Sequence, residues 1–377
     1  TAAYGGGIAA LGGNDGNENV FLQLFTTVAE RPVTVEDNIA TNSGGGIYLR
    51  PKQNFASYSL ASMCLFDFRV DGNAAPEGAA IASDNDTETA AASEHSRTYL
   101  NVAYDANNCG PRPPSDFNAI PCAADAACNE LSHNNPPPPS GPFNPGGGII
   151  FSGTNGYFQG VRFKLQDNYA DYGMHTLGGN EDFFSSSYAK ACLFTDNHFS
   201  QYDFFGDGDA FANIEFTNCT LANNLAERGY MFRIGTAATV NLHKDIFDEF
   251  GSGTVDQPGD TTLIASYILA NDTSTLPTSP TIIDLAGGPL FVDAANGNYH
   301  LVAYYQNGSL TATRAIDFAP EDGDPPYDVD SKAYGKDVPA VPDAYGTRDL
   351  GAYEAVPITD RIFADAFGDR TSLVSSQ

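Results

Sequence analysis

The carboxylates of this chain gather in short clusters where they could bind a cation. Asp203, Asp207 and Asp209 form one cluster, and Asp322, Asp324, Asp328 and Asp330 another. Asn14, Asp15, Asn17 and Glu18 form a smaller one, and Asp84 and Asp86 a pair. Acidic, glycine-bearing turns suit calcium, a hard cation that takes about six to eight oxygens from carboxylates, amides and backbone carbonyls. None of the clusters has the spaced loop of an EF-hand, and none repeats as a calcium-binding nonapeptide does. Calcium is the one cofactor this pattern suggests, with Asp203, Asp207, Asp209, Asp322, Asp324, Asp328 and Asp330 as candidate ligands, and plain solvated acidic turns are the favoured alternative for any single cluster. The formal charge of −29 repels nucleic acid and anionic lipid, so no nucleic-acid partner is expected.

Cleaving a sugar chain needs calcium with a base beside a carboxylate, or two carboxylates flanking the glycosidic bond. The nearest local match is Asp203 to Asp209, with His198, Arg233 and His243 close in sequence. The signatures of polygalacturonase-type hydrolases are incomplete here. Gly208 splits Asp207 from Asp209, Arg233-Ile234-Gly235 lacks the lysine, and Gly-His-Gly is absent. Nor is there a Walker loop, a Gly-x-Ser-x-Gly elbow or a His-Glu-x-x-His. No catalytic residue is assigned, and the sequence favours a non-enzymatic role.

The six cysteines are Cys64, Cys109, Cys122, Cys128, Cys192 and Cys219. An even number fits pairing in an oxidising compartment, though sequence leaves the connectivity open. Cys109, Cys122 and Cys128 sit in a proline-dense stretch with Pro136 to Pro139, so residues 105–145 read as a loop insertion pinned by at least one bridge. Cys192 and Cys219 are 27 residues apart, about one coil of the repeat described next. For these two and Cys64, burial as small hydrophobes is an equal alternative.

What must position these groups is a repeated phrase: an asparagine, a few small residues, then glycines running into an apolar segment. It occurs at Asn38 to Leu49, Asn73 to Ile81, Asn168 to Leu177 and Asn224 to Phe232, with shortened copies at Gly5 to Ile8 and Gly146 to Phe151. Gly46 and Gly78 are 32 residues apart, and Gly148 and Gly173 are 25 apart. Such intervals suit coils of short strands joined by turns. Residues 64–70, 161–165, 191–194 and 214–221 alternate apolar with polar or small residues, the period of a strand with one face inside. Glycine, and next to it asparagine, tolerates the positive φ of a tight corner. Asparagines on successive coils are expected to stack and share side-chain hydrogen bonds. The fold expected is all-β, a right-handed parallel β-helix (a solenoid) over residues 1–286 with the 105–145 insertion, an end region at 287–355 and a tail at 356–377. Its interior should be a stack of Phe, Leu, Ile and Val. No run of apolar residues is long enough for a membrane-spanning helix.

The end region carries a family resemblance. Pro289-Leu-Phe-Val-Asp293, Gly297-Asn-Tyr-His-Leu301, Ala315-Ile-Asp317 and Asp349-Leu-Gly-Ala-Tyr-Glu354 together resemble the ending of the choice-of-anchor Q group of bacterial right-handed β-helix surface proteins. Thr313 and Arg314 stand where that ending usually has serine and proline. The Gly-Gly-Gly-Ile phrases resemble repeats of the same proteins and of the chlamydial polymorphic membrane proteins. Asp360 to Phe367 resembles a short C-terminal tail of exported proteins of some gammaproteobacteria, with Ala366 in place of the usual glycine. The resemblance implies an extracellular or cell-surface protein of a Gram-negative bacterium whose signal peptide has been removed, and it implies little about activity.

The coil phrase begins at Gly5, which leaves little chain to cover the first rung. A rung edge displays unpaired backbone groups, so Gly5, Gly6, Gly7 and Ile8 are expected to dock on the C-terminal region of another copy, with Phe363 and Phe367 as candidate contacts. Such a head-to-tail contact grows a filament. The function expected is that of a structural or adhesive β-helix, with itself and extracellular glycans as candidate partners. The alternative is a polysaccharide-binding or polysaccharide-cleaving β-helix. An aromatic groove with converging carboxylates would favour that alternative.

Overall fold

A computed structural model describes residues 2–12, 20–25, 32–51, 59–83, 94–101, 129–136, 147–154, 156–178, 185–207, 212–235, 238–249, 253–256, 261–285, 289–306, 309–322 and 325–355. The chain is a parallel β-helix with strands on three faces. On the first face lie, in spatial order, Ile8–Leu11, Ile47–Arg50, Ile81–Ser83, Gly148–Ser152, Tyr169–Leu177, His198–Asp207, Tyr230–Ile234 and Gly253–Asp256. The second runs from Val20–Leu24 through Ser59–Leu65 and Glu94–Leu100 to Thr262–Ser266, and the third from Val33–Glu36 to Ile282–Asp284. In Tyr157–Gln166 and Ser185–Thr195 one strand turns the corner between the second and third faces without a break.

Alternation produces this shape. Along Tyr157–Gln166 the inward Phe158, Phe163 and Leu165 are fully buried while Gln159, Lys164 and Gln166 are half-buried on the outside. Inward residues of successive coils stack: Phe163, Phe194 and Phe216 meet edge to face, as do Phe204, Phe216, Phe232 and Phe247. Edge-to-face packing sets the positive rim of one ring against the negative face of the next. The glycine phrases fall in register, with Ile8 opposite Ile47, Ile47 opposite Ile81 and Ile81 opposite Ile150. Gly44 has φ +69, and a Cβ on Gly45 would lie 2.4 Å from the Ala79 carbonyl oxygen, so neither tolerates a side chain.

Glycine predominates at only one of the corners. Before each ladder asparagine the left-handed residue is Asp37, Gly72, His133, Asp167, Asp196 or Asn223, and between the second and third faces it is Asp67, Arg162, Ala191, Asn218, Lys244 or Tyr267. Asn and Asp enter this region most cheaply among residues with a Cβ, whereas Arg162, Lys244 and Tyr267 are held there by their surroundings.

The expected asparagine stack is present, and it is longer than the repeats indicated. Asn38, Asn73, Asn134, Asn168, Asn197 and Asn224 form an inward ladder in which each donates both its backbone N–H and its Nδ2 to the Oδ1 of the next. From Asn73 on, Nδ2 also bonds a backbone carbonyl of the preceding coil. The ladder corrects one boundary. Residues 129–136, placed within the loop insertion by their proline-rich flanks, belong to the coils. Glu130–Ser132 pairs with Phe68–Asp71 and with Lys164–Gln166, and Asn134 is a rung.

After Ile282–Asp284 the chain stops coiling and returns along the outside of the third face. Two antiparallel hairpins, Phe291–Asp293 with Asn298–Leu301 and Ala303–Gln306 with Ser309–Ala312, lead into an irregular segment to residue 355. Its apolar residues, among them Phe291, Tyr299, Ile316 and Leu350, cluster with the outward Leu193, Ala222, Ile246 and Leu269 of the coils. The residues carrying the family resemblance make this junction. Asp349 accepts N–H bonds from Asp317 and Ala355, Gly351 donates its N–H to the Lys244 carbonyl, and Ala352 donates its own to Thr220. Arg348, fully buried, bonds Asn218 of the coils at 2.9 Å and lies 4.2 Å over the Tyr334 ring.

Cys192 and Cys219 are disulfide-bonded across neighbouring coils, both fully buried. Cys64 is also buried and disulfide-bonded, while Cys109, Cys122 and Cys128 lie outside the described residues. No helix among the described residues is long and apolar enough to cross a membrane.

Candidate functional site

The most distinctive outer surface follows from register on the first face. Because parallel strands place equivalent residues side by side, Tyr48, Ala82, Phe151, His175, Phe205, Arg233 and Asp256 form one outward column. Tyr172 and Tyr202 start a second, and Tyr169 and His198 a third. The rings touch throughout: Phe151 to His175 is 5.4 Å between centroids, His175 to Phe205 5.2 Å, Tyr172 to Phe205 4.6 Å and Tyr169 to His198 4.3 Å. Tyr172 and Tyr202 stack nearly parallel, with 6° between ring planes and 6.3 Å between centroids, so their faces are turned to one another along the axis. Both residues are half-buried.

Two carboxylates approach this strip. Glu77, at the corner preceding Ile81–Ser83, accepts the Gly148 N–H at 2.8 Å and faces His175 Nδ1 at 3.3 Å. Gly147 makes room for it, since a Cβ there would lie 2.0 Å from Glu77 Oε2. Asp171 accepts from the Ser200 hydroxyl, and burial raises its pKa while that bond opposes the rise. Glu77 orients the imidazole, which packs among the rings of Phe151, Tyr172 and Phe205, with its Nε2 buried and without a hydrogen-bond partner among the described residues. At the far end of the column Arg233 pairs with Asp256, which raises the guanidinium pKa.

The residues singled out for catalysis or calcium do not converge. Asp203 is fully buried inside the coils, which removes it from any surface cluster with Asp207 and Asp209. Asp207 ends its strand opposite Leu177, and Asp209 lies outside the described residues. His198 bonds Glu227 at 2.8 Å, and His243, on the second face, bonds Ser266 at 2.7 Å. In the second cluster each described carboxylate has partners of its own. Asp322 pairs with the buried Lys244. Asp328 accepts the backbone N–H of Lys332 and of Glu354, and burial pushes its pKa up to about 6. Asp330 bonds His300 at 2.8 Å and lies near Lys164 and Lys332; His300 and the two lysines hold its pKa below the usual value against burial. Asp324, like Asn14, Asp15, Asn17, Glu18, Asp84 and Asp86, lies outside the described residues.

A different acidic group does converge. Asp317, Asp337 and Asp343 bring one oxygen each to within 4.8 Å of one another. Asp317 is fully buried and accepts the Val338 N–H at 3.1 Å. Burial first, then the two neighbouring carboxylates, raise its pKa to about 6. Three such oxygens are part of a calcium shell. Asp317 belongs to the Ala-Ile-Asp phrase, but nothing in its spacing to Asp337 and Asp343 pointed to this meeting. Of the expected self-assembly residues, Gly6, Gly7 and Ile8 donate N–H bonds to Gly44–Gly46 of their own chain, and Phe363 and Phe367 lie outside the described residues.

No family model, curated protein or solved structure matches the chain. The resemblance to the choice-of-anchor Q ending therefore rests on the residues quoted for it.

Proposed function

We propose that this is an exported structural and adhesive β-helix of the extracellular space or cell surface, not a catalyst. The observation that carries this reading is the unbroken amide ladder from Asn38 to Asn224, which commits a row of buried polar side chains to joining coil to coil. The buried Cys192–Cys219 bridge supports an oxidising compartment. Head-to-tail assembly through Gly5–Ile8 and the tail bearing Phe363 and Phe367 is the form of structural role the sequence suggests. Calcium at Asp317, Asp337 and Asp343 would brace the side region. The test is negative-stain microscopy and light scattering with calcium, together with retention of protein-coated beads on extracellular matrix under flow. Retention or end-to-end particles are expected; monodisperse monomers that are not retained would overturn the reading.

The outer strip supports a second reading, glycan binding. Half-exposed tyrosine edges with Glu77 and Asp171 beside them offer hydroxyl and carboxylate contacts to a polysaccharide. Glycan-array binding that falls at least tenfold in Tyr172→Ser with Tyr202→Ser would support it, and time-dependent release of reducing ends would replace binding with cleavage.

A further inference from the structure

The ladder ends in an acid. In the coil after Asn224 the position facing its Nδ2 is taken by Glu249, whose Oε1 accepts that bond. Glu249 is fully buried, and so is Asp203, whose carboxyl lies beside it on the first face. Apart from Asp203's own backbone N–H, both oxygens of Asp203 and Oε2 of Glu249 have no other hydrogen-bond donor among the described residues. An asparagine in the ladder gives one acceptor and a donor. A carboxylate has acceptors only, and a carboxylic acid has one of each. Two unshielded carboxylates side by side inside a phenylalanine core would be prohibitively costly, whereas protons on the pair remove the charge and supply the missing donor.

We propose that Asp203 and Glu249 are a proton-holding pair at the foot of the ladder, which keeps the last coils and the side region they carry firm in mildly acidic surroundings and loosens them as it ionises. Few other charges reach the pair. Asp248, on the preceding strand, adds to the repulsion on Glu249. The other charged groups described on the adjoining strands, His175 with Glu77, His198 with Glu227 and Arg233 with Asp256, pair with one another, and Asp171 bonds Ser200. No lysine, arginine or histidine among the described residues contributes to holding the pair ionised.

Burial raises Asp203 to about 7 and Glu249 well above the usual carboxylate range. In the unfolded chain both ionise near about pH 4. Above that the native state binds more protons than the unfolded one, so the pair's contribution falls as pH rises toward and through about 7. General repulsion among surface carboxylates runs in the same direction, so the test must separate the two.

The experiment compares wild type, Glu249→Gln, Asp203→Asn and the double variant with Glu36→Gln, which removes an exposed carboxylate from an early coil. Tm is measured from about pH 5 to about pH 9, around the ordinary and raised carboxyl values. Exchange protection of residues 225–285 is corrected for intrinsic rate. The Tm slope should be steepest in wild type and Glu36→Gln and clearly flatter in the double variant, with wild-type protection lost first in those residues. Equal slopes in all variants would overturn the proposal. Infrared spectra of the native chain near neutral pH provide a readout independent of variant folding. A protonated-carboxyl band that shrinks in the double variant is expected, with Asp245 and Asp349 accounting for what remains, and absence of the band from the native chain would overturn the proposal. Any rise of Tm that calcium causes in wild type should persist in Glu249→Gln. A calcium-dependent rise abolished by Glu249→Gln would assign the pair to a cation instead.

Discussion

The corner ladder buries neutral amides, whereas the side region buries ionisable side chains. Along the coils Asn73, Asn134, Asn168 and Asn197 sit fully buried with every neighbour chemically identical. Against the third face the buried polar groups are Asp317, Asp328, Arg348, Asp349 and Glu354, each with different partners. The physical reason is that an amide carries donor and acceptor together, so the same residue can follow itself indefinitely. A buried ionisable group needs its own particular set of partners, here backbone N–H groups for the acids and Asn218 for Arg348, which suits a junction made once. The ladder therefore specifies a repeat, and the ionisable cluster specifies a docking position.

The sharpest way to break this comparison is Arg348→Met. The guanidinium bonds Asn218 and pairs with Glu321 at 3.3 Å, and losing it should cost about 3–5 kcal/mol. Residues 289–355 should lose exchange protection while the coils keep theirs; simultaneous loss from the coils would mean that the two regions are one unit. Asn168→Ala comes next. It strips the acceptor from Asn134 and a donor from the Leu131 carbonyl, an expected loss of about 2–4 kcal/mol from several unmet buried groups. Denaturant melts should show it as one cooperative shift of the whole stack. A change confined to adjacent coils would make the ladder local reinforcement only. The smallest effect is expected for Tyr202→Ser on the outer strip, about 0.5–1.5 kcal/mol for lost ring contacts, measured as a lower denaturation midpoint. A larger loss would move the outer rings from finishing to framework.

The repeat was legible because its constraints are local: Gly44 and Gly45 cannot carry a Cβ, and the stacked isoleucines recur after them. Asn134 and Asn197 escaped the pattern because no glycine cluster follows them at the usual distance, although each does the same work as Asn168. Cys192 and Cys219 were readable as neighbours from their one-coil spacing. The candidate sites were not readable in this way. Asp203 reads as part of an acidic turn with Asp207 and Asp209, yet alternation breaks there, with Asp203 and Phe204 both fully buried beside an irregularity in register between Ala170 and Tyr172 of the neighbouring strand. The strip of Phe151, His175 and Phe205 joins residues from separate coils, and no local spacing records that alignment.

The amino-acid order alone determined that this chain coils, where glycine must stand, and that asparagines share a corner, because backbone sterics and strand alternation act over a few residues. The tertiary structure decided what the carboxylates do. Whether an aspartate ligates, pairs with a lysine or keeps its proton depends on burial and on groups brought from distant coils. Asp322 meets Lys244, Asp317 meets Asp337 and Asp343, and Asp203 meets Glu249 only once the stack and its side region have formed.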